Sequence, residues 1–394
     1  MTFVFAAYFT EGVAANPTAG TEAWGYAVSI SAIAIAILGP VLGAIADNVG
    51  RRKPWLVLLT LLTAIAAACL WIIEPDPSFV LTALVLVIVG NAAFETGMVF
   101  YNAMLADIAD EAHVGRLSGW GWGLGYVGGL SCLALVLVAF VQADTPWFGL
   151  DKDAAEHLRA VGPVVAVWTL VFALPLFLLT PDRPATGISA AAAVRQGFVQ
   201  LRETVAKIGQ YRTVVRFLIA RMIYTDGLNT LFAFGGIYAA GTFGFSFEDL
   251  ILFGIAINVT AGLGAFAFGW LDDRIGPKAV IAISLVCLVG LGVGILVIES
   301  AAMFWVLGLS LGVFVGPAQS ASRSMMARLA PVDLRTEMFG LYALSGKATA
   351  FVGPALLAWV TAMTGSQRFG MATIVVFLIV GLVLLRQVPS PKRS

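Results

Sequence analysis

Gly43-Ala-Ile-Ala-Asp47-Asn48-Val-Gly50-Arg51-Arg52-Lys53 closes one long apolar run of this chain, and Gly269-Trp-Leu-Asp-Asp273-Arg274-Ile-Gly276-Pro277-Lys278 closes another. Gly, Asp, Gly and a terminal base recur at identical offsets, 226 residues apart. A single copy reads equally well as an ordinary basic loop after a hydrophobic helix. Two copies in register point to a bundle that has been duplicated, as in many secondary transporters. The residue types have physical reasons. The first Gly permits close helix approach, and the Asp can face the positive N-terminus of a neighbouring helix. The second Gly turns the chain, and the bases stay among anionic headgroups.

Outward from the two loops, the chain reads as a polytopic all-α membrane protein. Of its 394 residues 60% are apolar and 12% charged, with mean hydropathy +0.93; a water-facing surface of this size needs far more charge. Runs of about 20 apolar residues, the length that crosses a bilayer, predict spans at 22–46, 54–73, 78–105, 115–141, 159–180, 212–240, 247–271, 279–298, 302–328, 338–362 and 369–386. Met1–Thr10 is apolar but covers only about 15 Å as a helix. It reads as the exit half of a first span, so the full spans are numbered second to twelfth. The predicted organisation is a bundle over 1–180 with an incomplete first helix, a linker over 181–211, and a second bundle with a short basic tail over 212–394.

Lys and Arg collect on one side of these spans, from Arg51, Arg52 and Lys53 through Arg116, Arg274, Lys278 and Arg328 to Arg386, Lys392 and Arg393. The other side holds only Lys152, Arg159 and Arg368, with acids such as Glu74, Asp76, Glu248 and Glu299. The positive-inside rule makes the basic side, and with it the C-terminus, cytoplasmic. Within the linker, Val194, Phe198, Leu201, Val205 and Ile208 recur at helical intervals, which predicts an amphipathic helix over Ala190–Gln210 lying along that face. Cys69, Cys132 and Cys287 lie inside apolar runs with no metal-ligand spacing, and Met1-Thr2-Phe3 lacks the basic start of a signal peptide.

The double loop resembles the signature of the major facilitator superfamily, in which it tethers helices and helps set the inward/outward equilibrium without binding substrate. Tyr8-Phe-Thr, Trp24-Gly-Tyr-Ala, Pro40–Asp47, Phe100-Tyr-Asn-Ala-Met-Leu, Pro317–Leu329 and Phe339–Pro354 are similar to the vacuole effluxer-like branch, the fungal autophagy-related amino-acid effluxers and their bacterial relatives. The resemblance implies a twelve-helix fold of two pseudo-symmetric six-helix bundles, in a bacterial inner membrane. It assigns the switch role to Gly43, Asp47, Gly50, Arg51 and Arg52, and to Gly269, Asp273, Arg274, Gly276 and Lys278. Asn48 stands where the first loop usually carries a base. The fourth span lacks the Arg of many proton-coupled members, and Tyr126 replaces the Pro of the antiporter motif. Drug/proton antiport is a poor match.

Ionisable residues at bilayer depth cost about 2.5–3.5 kcal/mol each on insertion scales, so they mark cavities or partners. Asn91, Glu95, Met98 and Asn102 share one face of the fourth span. Asp226 and Asn229 share a face of the seventh, with Arg221 about a turn nearer the basic side; Asp226 either meets substrate or pairs with Arg221. Gln319 and Arg323 are i, i+4 in the tenth, and Lys347 lies in the eleventh. Arg221 and Arg323 either line the cavity or snorkel. The substrate-contact set is therefore Asn91, Glu95, Asn102, Asp226, Asn229, Gln319, Arg323 and Lys347, with Glu95 a candidate proton carrier. Gly121, Gly125 and Gly129 form a small-residue ridge expected to allow close helix contact, and Trp120 and Trp122 read as an interfacial belt.

Two acids and three bases suit a zwitterion or a small organic anion. The expected function is secondary active transport of such a solute, most simply an amino acid, by rocking of two halves about a midplane site. A multidrug exporter and a non-transporting sensor on the same scaffold are the alternatives. The linker leaves little room for a soluble sensor domain. No nucleophile–base pair, metal cluster or phosphate loop is legible, so no enzyme activity, metal or cofactor is expected. The expected partners are the solute, the lipid bilayer and protons, with no nucleic acid.

Overall fold

The computed structural model describes residues 2–391. A short α1 (Thr2–Tyr8) runs into a π-helical turn (Phe9–Val13), followed by α2 (Pro17–Val49), α3 (Lys53–Cys69), α4 (Val80–Ile108), α5 (Val114–Val136), the four-residue α6 (Glu156–Arg159) and α7 (Val161–Leu179). The linker helix α8 (Ala190–Ala206) leads to α9 (Arg212–Phe243), α10 (Phe247–Ile275), α11 (Pro277–Val297), α12 (Ala301–Leu329), α13 (Arg335–Lys347), α14 (Val352–Thr364) and α15 (Gln367–Arg386). Among the described residues there is no strand.

Local chemistry sets the helix ends. Asn16 accepts the Ala19 amide at 2.9 Å with Pro17 at the first helical position of α2. Ser246 and Asp249 cap α10 reciprocally, and Ser300 caps α12. Among the described residues, ten helical segments are long and apolar enough to cross a membrane. α9 has the length, 32 residues, but its polar content, including Arg212, Arg216, Arg221 and Asp226, keeps it outside that set. Outward-facing side chains are apolar where lipid would cover them: Tyr26, Ile30, Ile33 and Ile37 form one exposed stripe along α2.

The predicted spans correspond to helices, with one correction. The run at 338–362 is not one helix: it breaks after Lys347 and resumes at Val352, with Ala348–Phe351 in turn conformation. The apolar N-terminal segment is well anchored. Phe5, Tyr8, Phe9 and Val13 pack against Leu70, Ile73, Ala83 and Val87, and the Tyr8 hydroxyl donates to the Ile73 carbonyl at 2.8 Å.

The residues gather into two compact units. One runs to Met104 and adds Ser131–Leu201; the other joins Leu105–Leu130 to the chain from Arg202 onward. The end of α4, the turn after it and most of α5 therefore belong with α9–α15. In the first unit, α8 lies against α2 through its small residues: a Cβ on Gly197 would stand 2.7 Å from Ile45, and Asn48 donates to Gln200 at 2.7 Å. Of the predicted apolar ridge, Val194 and Phe198 are exposed and Leu201 is half-buried; the side chains of Val205 and Ile208 lie outside the described residues.

Candidate functional site

The two loop copies make the same kinds of contact with different partners. In the first, Gly50 adopts φ +87°, and a Cβ there would stand 2.3 Å from the Pro184 carbonyl oxygen. Only glycine meets both demands. Arg52 is 1% exposed. Its guanidinium reaches Asp47 at 3.3 Å and donates to the Ala103 carbonyl at 3.2 Å. Asp182 accepts the amides of Arg52 and Lys53, at 3.0 and 3.3 Å, at the start of α3. The Lys53 ammonium caps the last carbonyls of α7, at Phe177 and Thr180.

In the second copy Gly276 takes φ +89°, and Asp273 accepts the Gly115 and Arg116 amides at 2.8 and 3.2 Å, the first turn of α5. A negative charge on the exposed N–H groups of a helix start is electrostatically favoured. The Arg116 guanidinium adds an ion pair at 2.8 Å and Arg328 another at 3.6 Å. Gly269 permits this approach, since its Cβ would stand 3.1 Å from Arg116 Cα. Lys278 donates to the Arg386 carbonyl at the end of α15, as Lys53 does at the end of α7. Arg51 and Arg274 are exposed, and Gly43 is buried.

Sequence reasoning passed over Asp272, beside Asp273. It is 2% exposed, 3.9 Å from Arg328, and lines a cavity of about 450 Å³ with Glu111, Lys278 and Arg328. Its only signal was a second acid in the motif.

The α5 glycines pack in a different register from the expected one. Gly119 lies against the Ala265 carbonyl, where a Cβ would approach to 2.3 Å, and Gly115 and Gly123 likewise face α10. Gly125 and Gly129 have nothing within 4 Å. Trp120 stacks on Phe266 at 5.3 Å and meets Trp270 edge-on, so it packs within the protein.

The candidate solute contacts divide between the units. On α4, Asn91, Glu95, Met98 and Asn102 are all half-buried; Asn91 and Met98 lie between buried neighbours in sequence, while Glu95 follows the exposed Phe94. On α12, Arg323 is 3% exposed and donates to the Ser118 hydroxyl and carbonyl at 2.9 and 2.6 Å, so it is held by α5 and does not snorkel. Gln319 accepts from Tyr126 at 3.1 Å. On α9, Arg221 lies over the Tyr342 ring, 3.5 Å from its centroid, and donates to the Tyr342 carbonyl and Ser345 hydroxyl at 2.7 and 2.8 Å. It forms no ion pair with Asp226. Asp226 is buried while Asn229 is exposed, because Gly353 of α14 sits against the Asp226 carbonyl. Lys347 is half-buried at the last residue of α13.

A sequence model of the family described as "Vacuole effluxer Atg22 like" matches residues 23–393. The MFS-type transporter YxiO of Bacillus subtilis is 26% identical over 392 residues, 99% of this chain and 90% of the relative. Autophagy-related protein 22 of Cryptococcus neoformans is 26% identical over 293 residues, 69% of this chain and 52% of the relative; the match spans about half the length of that fungal protein. Among solved structures, the proton:xylose symporter XylE superposes with TM-score 0.73 at 15% identity, covering 99% of this chain and 91% of XylE. The outward conformation of FucP gives 0.69 at 13% identity, covering 93% and 90%. These structures share the fold.

Proposed function

The chain belongs to the vacuole effluxer Atg22-like family and is an MFS-type membrane transporter; from that premise we propose that it moves a small zwitterion or organic anion, most simply an amino acid, by secondary alternating access. The observation that carries the reading is Lys347, a base set at bilayer depth where α13 stops and the helix breaks. Discontinuous helices place charge and bare backbone at solute sites in many carriers. A carboxylate is the natural partner of such a base. Glu95, which shares a face of α4 with Asn91 and Asn102, suits an ammonium group in the same way. Arg323 and Arg221 donate to protein hydroxyls and carbonyls around the site.

The family description, with "effluxer" in it, agrees with export. The concentration of Lys and Arg in one set of loops supports a cytoplasmic C-terminus by the positive-inside rule. A thermal-shift screen of the purified protein against amino acids, small organic anions and lipophilic cations tests the solute class. A ligand that binds only the folded state raises the melting temperature by mass action. The expected result is a saturable rise with one amino acid or organic anion that Lys347→Met abolishes. A rise with lipophilic cations alone overturns the reading in favour of a multidrug carrier.

A further inference from the structure

The linker helix α8 has two unlike sides. Ala193 and Gly197 are buried, on the side that meets the last turn of α2. A Cβ on Gly197 would stand 2.7 Å from the Ile45 side chain and 2.9 Å from its backbone. Gln200, next along the same side, accepts from Asn48 at 2.7 Å. Because α2 is a membrane-crossing helix that ends at Val49, these contacts hold the middle of α8 level with the headgroups on the basic side.

At about 3.6 residues per turn, the other residues follow a definite order round the helix. Beside the small side come Leu201, half-buried, and Val194 and Phe198, both exposed. Beyond them stand Arg202 and Arg195, then Val199, and on the far side Gln196, Glu203 and Lys207, all exposed. Apart from Val199, the order is protein contact, apolar, basic, polar. The media met on leaving a bundle wall at the membrane surface follow the same order: acyl chains, headgroups, water.

Charge agrees with this placement. Lys207 and Glu203 pair with each other at 2.9 Å and cancel. Residues 190–202 include two arginines and no acid, and among the described residues neither Arg195 nor Arg202 has an acidic partner. An apolar strip edged by unbalanced positive charge fits a surface that offers hydrocarbon and negative charge together. Water offers neither. The leaflet is also the nearest such surface, since α2 already holds α8 at its depth.

We infer that the exposed side of α8 is a docking surface for anionic phospholipid of the cytoplasmic leaflet, with Val194 and Phe198 at the acyl boundary and Arg195 and Arg202 among the headgroups. Lipid held there steadies α8 against the end of α2. The inference does not depend on which solute the protein moves.

The test places the purified full-length protein in nanodiscs of phosphatidylcholine alone, or of phosphatidylcholine and phosphatidylglycerol in equal parts. Amide hydrogen exchange across 190–202 is expected to slow in the anionic discs, and the slowing to shrink in high salt. Arg195→Gln and Arg202→Gln should each remove about fivefold of it, the worth of one base at an anionic surface, and leave exchange in α12 unchanged. A fluorophore at Phe198→Cys, with Cys69, Cys132 and Cys287 changed to Ala, should be quenched by a nitroxide-bearing lipid and little by aqueous iodide. Equal exchange in the two kinds of disc overturns the inference. So does a label reached by iodide and not by the nitroxide, which puts this side of α8 in water. A label reached by neither overturns it in favour of a protein partner or a second copy of the chain. Exchange is read on the unlabelled protein, so a labelled variant that fails to fold leaves that measurement to decide.

Discussion

Asp273 holds the first turn of α5 through the Gly115 amide at 2.8 Å, a contact between residues 158 positions apart in sequence. The carboxylate also accepts from the Arg116 amide and guanidinium, so one side chain closes the positive end of a membrane helix. Asp273→Asn keeps the shape and removes the charge. Its expected cost is about 1–2 kcal/mol, from the lost dipole and ion-pair interactions. A cysteine at Arg116 in that background should react faster with a membrane-impermeant thiol reagent applied from the basic side. An unchanged labelling rate would show that the contact does not hold α5.

Asp47 and Arg52 are each 1% exposed in their side chains, at 3.3 Å. Removing one member of a buried pair strands the other and costs on the order of 3–5 kcal/mol, whereas removing both costs much less. Asp47→Asn should therefore lower the melting temperature more than the double variant Asp47→Asn/Arg52→Gln. Additive losses in a double-mutant cycle would show the pair to be uncoupled.

The α5 glycine register gives a paired test. Gly119→Ala forces a methyl group against the Ala265 carbonyl, with an expected loss of about 1–3 kcal/mol. Gly125→Ala meets open space and, as a helix substitution, is neutral or stabilising by up to about 1 kcal/mol. Equal effects on the melting temperature would contradict this packing.

Arg221→Lys keeps the charge but loses the planar stack on Tyr342 and the fork that reaches both the Tyr342 carbonyl and Ser345. The expected loss is about 1–2 kcal/mol, read as a lower melting temperature with little change in solute affinity. A large affinity change with unaltered stability would move Arg221 from the scaffold to the solute site.

Much of this was legible in the sequence, and the limit has a physical form. Apolar run length places the membrane helices because lipid tolerates little else. The duplicated loop offered its Asp as a partner for a neighbouring helix start, and Asp273 meets the Gly115 and Arg116 amides there. Periodicity gives the face a residue occupies but not the neighbour it meets. The small-residue ridge at Gly121, Gly125 and Gly129 was therefore readable, while the contact made by Gly115, Gly119 and Gly123 was not. The same limit hid the fate of Arg323, whose partner Ser118 lies 205 positions away. The break at Ala348–Phe351 contains neither Gly nor Pro itself, but Gly346 and Gly353-Pro354 flank it, a local breaker signal that the apolar run length outweighed in the helix reading. Asp226 was visible as an intramembrane acid, but its isolation from Arg221 depends on the ring of Tyr342, 121 positions further on.

Counterflow in proteoliposomes tests the central claim most directly: vesicles loaded with an unlabelled amino acid or organic anion are diluted into a trace of the same labelled solute. A secondary carrier should accumulate label transiently, the overshoot should saturate, and Lys347→Met should abolish it. Label that enters no faster than into protein-free vesicles across the amino-acid and organic-anion set, while a lipophilic cation is exchanged, would contradict the account.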